Sequence, residues 1–169
     1  MLSASSNSQG GATVRAILLD AIYLSVCLLA SPWLAYRRFI QRKPIAGLYA
    51  KLTGDIVRRF PDRPCVWFHA VSVGEVLQLP SLIQEFSVRH SDYEILITTT
   101  TGTGFEVARQ KFPSHTVAYW PLDFSWSVRR ALRQAAPSLI VLVELELWPN
   151  LLLTAQRRQV PVVLVNGRI

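Results

Sequence analysis

Hydrophobic positions along the chain fall into two regimes. Residues 16–36 are almost wholly apolar, broken by Asp20 and by the small residues Ser25 and Ser31. At about 1.5 Å rise per residue, a helix of this length reaches roughly 30 Å, the thickness of a bilayer core. From Cys65 onward short apolar runs alternate with longer stretches of helical spacing. The short runs predict strands over 66–70, 94–99, 116–119, 139–143 and 162–165. The longer stretches predict helices over 75–89, from 104 or 105 to 111, over 124–135 and over 149–158. Pro80 loosens or bends the first turns of the 75–89 helix. Strand–helix units repeated at this length make an α/β domain, a parallel sheet with helices on both faces.

The usual winding of such units gives strand order 3-2-1-4-5 with right-handed crossovers. The switch point then falls between the first and fourth strands. It sets Ser72-Val73-Gly74-Glu75 opposite Glu144-Leu145-Glu146-Leu147-Trp148-Pro149-Asn150, the two segments with the most unusual polar content. Ligands of open α/β sheets bind in that crevice.

The segments before the sheet differ in character. Residues 1–13 are rich in Ser, Gly, Asn and Gln, and a disordered tail is expected there. Trp33 and Tyr36 end the apolar run as interfacial aromatics do, and Arg37, Arg38, Arg42 and Lys43 follow, against only Arg15 before it. Residues 14–43 therefore read as an uncleaved anchor with a basic flank, which puts the following domain in the cytoplasm. A cleaved signal peptide is the rival, but it needs its basic cluster ahead of the apolar run. A helix lying flat in the interface is a third reading. Residues 44–63 read as a basic connector with a helix over 48–60. Lys51, Arg58 and Arg59 form a solvated face there, or hold anionic headgroups beside a membrane.

Charge narrows the partners. The net charge is +7, from 18 Lys and Arg against 11 Asp and Glu in 169 residues. Such an excess serves nucleic acid, anionic lipid or a phosphorylated substrate. The base clusters near the anchor and no reading motif accompanies it, so nucleic acid is not expected as a partner. Cys27 and Cys65 sit in apolar runs without metal spacing or a disulfide framework, which fits a reduced compartment.

Each candidate motif carries two readings. In the octet of residues 68–75, Gly74 lets the backbone turn tightly and Glu75 falls in the first helical turn. Ser72 and Glu75 make either a capping box or a functional pair. Glu75 serves as a general base when the crevice makes it basic enough and an acceptor hydroxyl comes within hydrogen-bond reach. Glu144 and Glu146 alternate at a strand end, so one faces the crevice, or both bond backbone amides and a nearby Arg. Trp148-Pro149 reads as a helix start, and Asn150 as a local backbone partner or a ligand. The loop Thr98-Thr99-Thr100-Thr101-Gly102-Thr103-Gly104 resembles a phosphate cradle ahead of a helix, or is a capped turn. No Walker or Gly-x-Gly-x-x-Gly motif occurs, and Ser72 lacks the Gly-x-Ser-x-Gly elbow of a nucleophile. Asp123 is expected to cap the 124–135 helix, His69 to be a satisfied core histidine or a site residue, and Arg129, Arg130 and Arg133 to form one solvated face. No cluster has metal-ligand spacing.

Together the motifs resemble one known family. An apolar anchor precedes His69-Ala70-Val71-Ser72-Val73-Gly74-Glu75. The Thr-rich loop, Tyr119-Trp120-Pro121-Leu122-Asp123, the 144–150 segment and Asn166-Gly167-Arg168 follow in order. In this order they resemble the 3-deoxy-D-manno-octulosonic acid (Kdo) transferases of lipopolysaccharide biosynthesis. The resemblance covers residues 16–169. It departs at Phe124-Ser125-Trp126, where the family commonly has a proline, and at Thr101-Gly102-Thr103-Gly104, where it commonly has a Thr-Pro-Thr-Gly-like turn.

The resemblance implies an inner-membrane glycosyltransferase of the two-domain GT-B type. Its N-terminal Rossmann-like domain, here residues 44–169, receives the lipid A precursor, and a C-terminal domain binds the donor CMP-Kdo. The family's general base corresponds to Glu75, acting in an inverting transfer without metal or cofactor, the donor being a substrate. Ser72, Gly74, Thr101, Gly102, Thr103, Gly104, Glu144, Glu146, Asn150 and Arg168 are the implied substrate-binding positions. The chain stops at the fifth strand, so a fragment or truncated product without the donor site, inactive by itself, is expected. Part of another GT-B enzyme and a non-catalytic lipid-binding module are the alternatives.

Overall fold

The computed structural model describes residues 5–40, 46–144 and 148–165. The chain divides into two compact units, Met1–Ile45 and Ala46–Ile169. In the first, α1 (Ser5–Ile40) is one continuous helix. It includes residues 5–13, where an unstructured tail is expected from composition. Its stretch Val14–Ser31 has a mean hydropathy of 1.9, long and apolar enough to cross a bilayer by length and composition.

The second unit holds a five-stranded, all-parallel sheet of order β3-β2-β1-β4-β5. The strands are β1 (Cys65–His69), β2 (Glu94–Thr99), β3 (Thr116–Tyr119), β4 (Pro137–Val143) and β5 (Val162–Val165). The α/β class and the strand order agree with the sequence pattern. β1 is apolar at almost every position because it is buried on both faces. Cys65 and Trp67 point into one core layer, with Leu96, Ile140, Val128, Leu132 and Leu151. Val66 and Phe68 point into the other, with Ile97, Val141, Val76, Leu79 and Ala108.

The helices around this sheet are α2 (Leu48–Thr53), α3 (Val73–Val76), α4 (Leu79–Arg89), α5 (Gly102–Lys111), α6 (Ser125–Ala135) and α7 (Pro149–Arg157). Two helices differ most from the sequence pattern, each for a local reason. The expected 75–89 helix is two helices, α3 and α4, broken ahead of Pro80, whose ring clashes with the carbonyl four residues earlier. The expected 48–60 helix stops at Gly54, a left-handed cap whose N–H reaches Ala50 O at 2.8 Å. A side chain at Gly54 would overlap the Ser127 carbonyl, so α2 packs there directly against the backbone of α6.

Beyond Gly54 the chain runs irregularly and supplies Arg58 and Arg59 to Glu94. Arg58 Nε pairs with Glu94 Oε2 at 2.8 Å, and both side chains are buried. Lys51 is buried as well. Lys51, Arg58 and Arg59 are therefore not one solvated face.

Candidate functional site

The described segments that leave β1, β2, β3 and β4 lie at the carboxyl edge of the sheet, and one backbone residue ties two of them together. Val71 follows β1. Its N–H donates to Glu75 Oε2 at 2.6 Å, and its carbonyl accepts Thr99 Oγ1–H at 3.1 Å and Thr100 N–H at 3.3 Å. The turn after β1 is thereby clamped to the loop after β2. Ser72 is the N-cap residue of α3, but its hydroxyl donates to Glu75 Oε1 at 2.9 Å instead of capping the helix. Two donors therefore converge on the Glu75 carboxylate and fix its rotamer, with 8 % of the residue exposed. The glutamate reaches back as in a capping box, but to the N–H of Val71, one residue before the N-cap.

The glycines nearby divide their roles unexpectedly. Gly74 is helical with negative φ, and a Cβ there would meet only Ser72 Oγ, at 3.9 Å. The turn does not need this glycine. Gly104 is the glycine that packing demands: a Cβ would lie 2.5 Å from Thr99 Oγ1 and 2.8 Å from Thr101 Oγ1. The Thr-rich loop is a capped turn, in which Thr101 Oγ1 accepts Gly104 N–H at 3.0 Å and α5 begins at Gly102. Thr103 reaches Thr101 at 3.5 Å.

Glu144 leaves β4 beside this turn, since His69 of β1 stands in register with Leu142 of β4. Its φ is 71°, left-handed for a residue with a side chain, and its N–H is held by Val165 O at 3.0 Å. Backbone held in that region costs free energy of order 1–3 kcal/mol and clusters at functional sites. Glu146 and Arg168, the other predicted ligands here, lie outside the described residues.

Asn150 is set apart from the others. It is 1 % exposed, and its Nδ2 donates to Asp123 O at 2.6 Å. The Asp123 carboxylate caps α7, accepting Asn150 N–H and Leu151 N–H at 2.9 Å each. The N-cap residue of α6 is Phe124, and the Asp123 carboxylate caps α7. His69 is a core histidine: its ring stacks on Trp120 at 3.7 Å, and Nδ1 lies 3.1 Å from Thr98 O. Sequence reasoning missed the double role of Val71 and the burial of Lys51. The charge of Lys51 hid the second, because its neighbours form no regular apolar face.

Residues 37–169 match the sequence model of the family described as 3-Deoxy-D-manno-octulosonic-acid transferase (kdotransferase). The chain belongs to this family. It is 37 % identical over 110 residues to the probable mitochondrial 3-deoxy-D-manno-octulosonic acid transferase of Arabidopsis thaliana, covering 64 % of this chain and 25 % of the relative. It is 31 % identical over 152 residues to the 3-deoxy-D-manno-octulosonic acid transferase of Chlamydia pneumoniae, covering 89 % and 35 %. A bifunctional glycosyltransferase/methyltransferase of Fusobacterium nucleatum is 34 % identical over 137 residues, covering 79 % and 21 %. The chain spans about a quarter to a third of the length of the curated relatives it matches. Within the Kdo transferase family, the matched stretch includes the whole sheet and every segment of the carboxyl-edge site.

Proposed function

We propose that this chain is the acceptor-side part of a glycosyltransferase that moves Kdo from CMP-Kdo to the lipid A precursor in lipopolysaccharide biosynthesis. It is held at the inner membrane by α1, with the sheet domain in the cytoplasm. Glu75 is the general base. Its carboxylate takes the proton of an acceptor hydroxyl as that oxygen bonds to the anomeric carbon of Kdo. The bond from that carbon to the CMP phosphate oxygen breaks, CMP leaves with the electron pair, and the configuration inverts. The proton then passes to solvent. The donor is activated by its phosphate, so the step needs no metal or cofactor. The donor is held by a further domain, the second half of a GT-B enzyme, outside this chain.

One observation carries the reading: the Glu75 carboxylate is fixed by Val71 N–H and Ser72 Oγ–H at the carboxyl edge, beside the strained Glu144. Preorganised carboxylates at such an edge suit proton transfer in the crevice. Family membership supports the choice of sugar. Ser72, Gly74, Thr101, Gly102, Thr103 and Glu144 lie in segments that can line the acceptor's approach, whereas Gly104 and Asn150 serve packing.

In a full-length relative, replacing the glutamate that matches Glu75 by Gln abolishes transfer and leaves acceptor binding largely intact. Retained turnover overturns the assignment. The capping geometry of Glu75 favours one alternative, a non-catalytic lipid-binding module. That alternative requires turnover to survive the same replacement.

A further inference from the structure

The ladder between β1 and β2 gives out just before Val71. The two strands pair as far as His69 and Thr98, and Ala70 N–H still reaches Thr98 O at 3.0 Å. One residue on, the chain turns toward α3, and the Val71 carbonyl has no place in the ladder. A side chain takes over: Thr99 Oγ1–H donates to Val71 O at 3.1 Å. Thr100 N–H follows at 3.3 Å, and Thr101 N–H and Oγ1–H at 3.4 Å each. The Thr99 bond is the shortest of these, and Thr101 Oγ1 also accepts Gly104 N–H as the cap of α5.

Thr99 is itself held in place. It is fully buried, and successive side chains of a strand point to opposite faces. Thr98 turns to one face, where its Oγ1 accepts Trp67 Nε1–H at 2.7 Å. Thr99 turns to the other, toward α5, where a Cβ on Gly104 would lie 2.5 Å from its Oγ1. The bare Gly104 thus lets α5 close over the hydroxyl without displacing it. The Thr99 carbonyl accepts Trp120 N–H at 3.1 Å, which fastens the residue to the exit of β3.

Val71 passes this constraint on to Glu75. Its N–H donates to Glu75 Oε2 at 2.6 Å, and Ser72 Oγ–H donates to Oε1 at 2.9 Å. The two donors differ in kind. A hydroxyl hydrogen rotates to follow the carboxylate. An amide hydrogen points where its backbone points, so the amide sets which way the carboxylate lies. Such charge-assisted bonds are strong, and they weaken steeply when misaligned.

We propose that Thr99 is a positioning residue for the transfer reaction: its hydroxyl holds the Val71 backbone so that Val71 N–H stays aimed at Glu75 and fixes the orientation of that carboxylate. The inference rests on the reading of Glu75 as the general base. Without the hydroxyl, Val71 O keeps only the longer bonds from Thr100 and Thr101, and the turn loosens. A base that is displaced from its acceptor hydroxyl loses rate, because proton transfer needs hydrogen-bond reach.

The test first reads the Val71 amide resonance of the isotope-labelled full chain in detergent. An amide hydrogen bonded to a carboxylate resonates downfield. Glu75→Gln moves it upfield, the value for a bond without the charge. Thr99→Val, which keeps the side-chain shape and drops the hydroxyl, moves it the same way, and Thr99→Ser returns it. A resonance that Thr99→Val leaves in place overturns the proposal even where the variant melts lower, since a residue that serves packing alone changes the midpoint and not this signal. A resonance that Glu75→Gln leaves in place overturns it equally. Should Thr99→Val not fold, Gly104→Ala gives the answer, because its Cβ displaces the same hydroxyl.

Activity is the second arm, in a full-length relative that has Val, Thr and Glu at the positions matching Val71, Thr99 and Glu75. There the change matching Thr99→Val lowers kcat roughly tenfold, short of the 10²–10⁴ of a lost base. KM for the acceptor stays the same, and the change matching Thr99→Ser restores the rate. An unchanged kcat, or a loss confined to KM, overturns the proposal. Turnover that survives loss of the glutamate sinks the general-base reading instead, while the Val71 signal still reports the hold of Thr99 on Glu75 in this chain.

Discussion

The Asp123 carboxylate accepts the backbone N–H of Asn150 at 2.9 Å. Leu151 N–H and Asn150 Nδ2 add two more bonds to the same residue. The exit of β3 is thereby fastened to the start of α7, and the route from β4 into α7 is anchored at its far end. Trp148, the N-cap residue of α7, supplies no side-chain cap, so the helix takes its capping carboxylate from a distant loop.

Asp123→Ala removes both caps in a buried place. The expected loss is about 2 kcal/mol, the upper end for a lost N-cap. Asp123→Asn keeps an acceptor and loses less. Urea unfolding checks both, and an unchanged midpoint for the alanine variant shows that the cap is not stabilising.

Glu94 makes stability depend on pH. Burial raises its pKa, but Thr116 Oγ1, Arg59 N–H and the Arg58 guanidinium outweigh that and hold it below the ordinary value. A depressed folded-state pKa contributes stability that is present above the unfolded value and is lost as pH falls through the folded one. The fold therefore weakens below about pH 4, the ordinary glutamate range. Glu94→Gln flattens this acid limb and, by leaving Arg58 buried without its partner, costs about 3 kcal/mol at neutral pH. Chemical unfolding of both chains from pH 7 to pH 3 gives the comparison, and parallel acid limbs contradict it.

Two glycines of the site separate folding from binding. Gly104→Ala forces its Cβ onto Thr99 and Thr101 and is expected to cost about 1–3 kcal/mol, as overpacking does. Gly74→Ala meets open space inside α3 and is expected to stabilise by about 0.5–1 kcal/mol, the helical gain of Ala over Gly. If the acceptor approaches the backbone at residue 74, that variant binds the lipid A precursor more weakly while melting higher. Equal or tighter binding removes Gly74 from the acceptor's path.

The sheet was legible because its strands are short, apolar and separated by helical spacing. β2, β3 and β5 have the bounds that the pattern predicts. Their order followed from the usual winding of such strand–helix units. The turn of residues 71–75 was legible as a site because a Ser and a Glu interrupt apolar runs at a strand end. What stayed hidden was long-range. Asp123 and Asn150 are each plausible local caps, and nothing near either one names the other. Gly74 and Gly104 look alike in sequence, and only packing distinguishes them. Lys51 and Arg58 read as surface charge, yet one is buried beside an aromatic ring and the other against Glu94.

The two cysteines offer a last, combined readout of packing and membrane insertion. Burial, with a smaller contribution from Glu94, pushes the Cys65 thiol up to about 12 against the opposing charge of Arg58. At pH 8 almost none of it is thiolate, and the thiolate is the reactive form. Cys65 is therefore inert toward a water-soluble maleimide until the sheet unfolds. Cys27 is exposed on α1, within the apolar stretch Val14–Ser31. If α1 sits in a bilayer, lipid shields this thiol from the reagent. The chain in vesicles is then expected to label at neither cysteine, and at both after detergent and urea. Labelling of Cys27 alone in intact vesicles would place that part of α1 in water and sink the anchor, while leaving the packing of Cys65 intact. Labelling of Cys65 alone would instead mean that the sheet opens while the anchor holds, so each failure identifies a different unit of the chain.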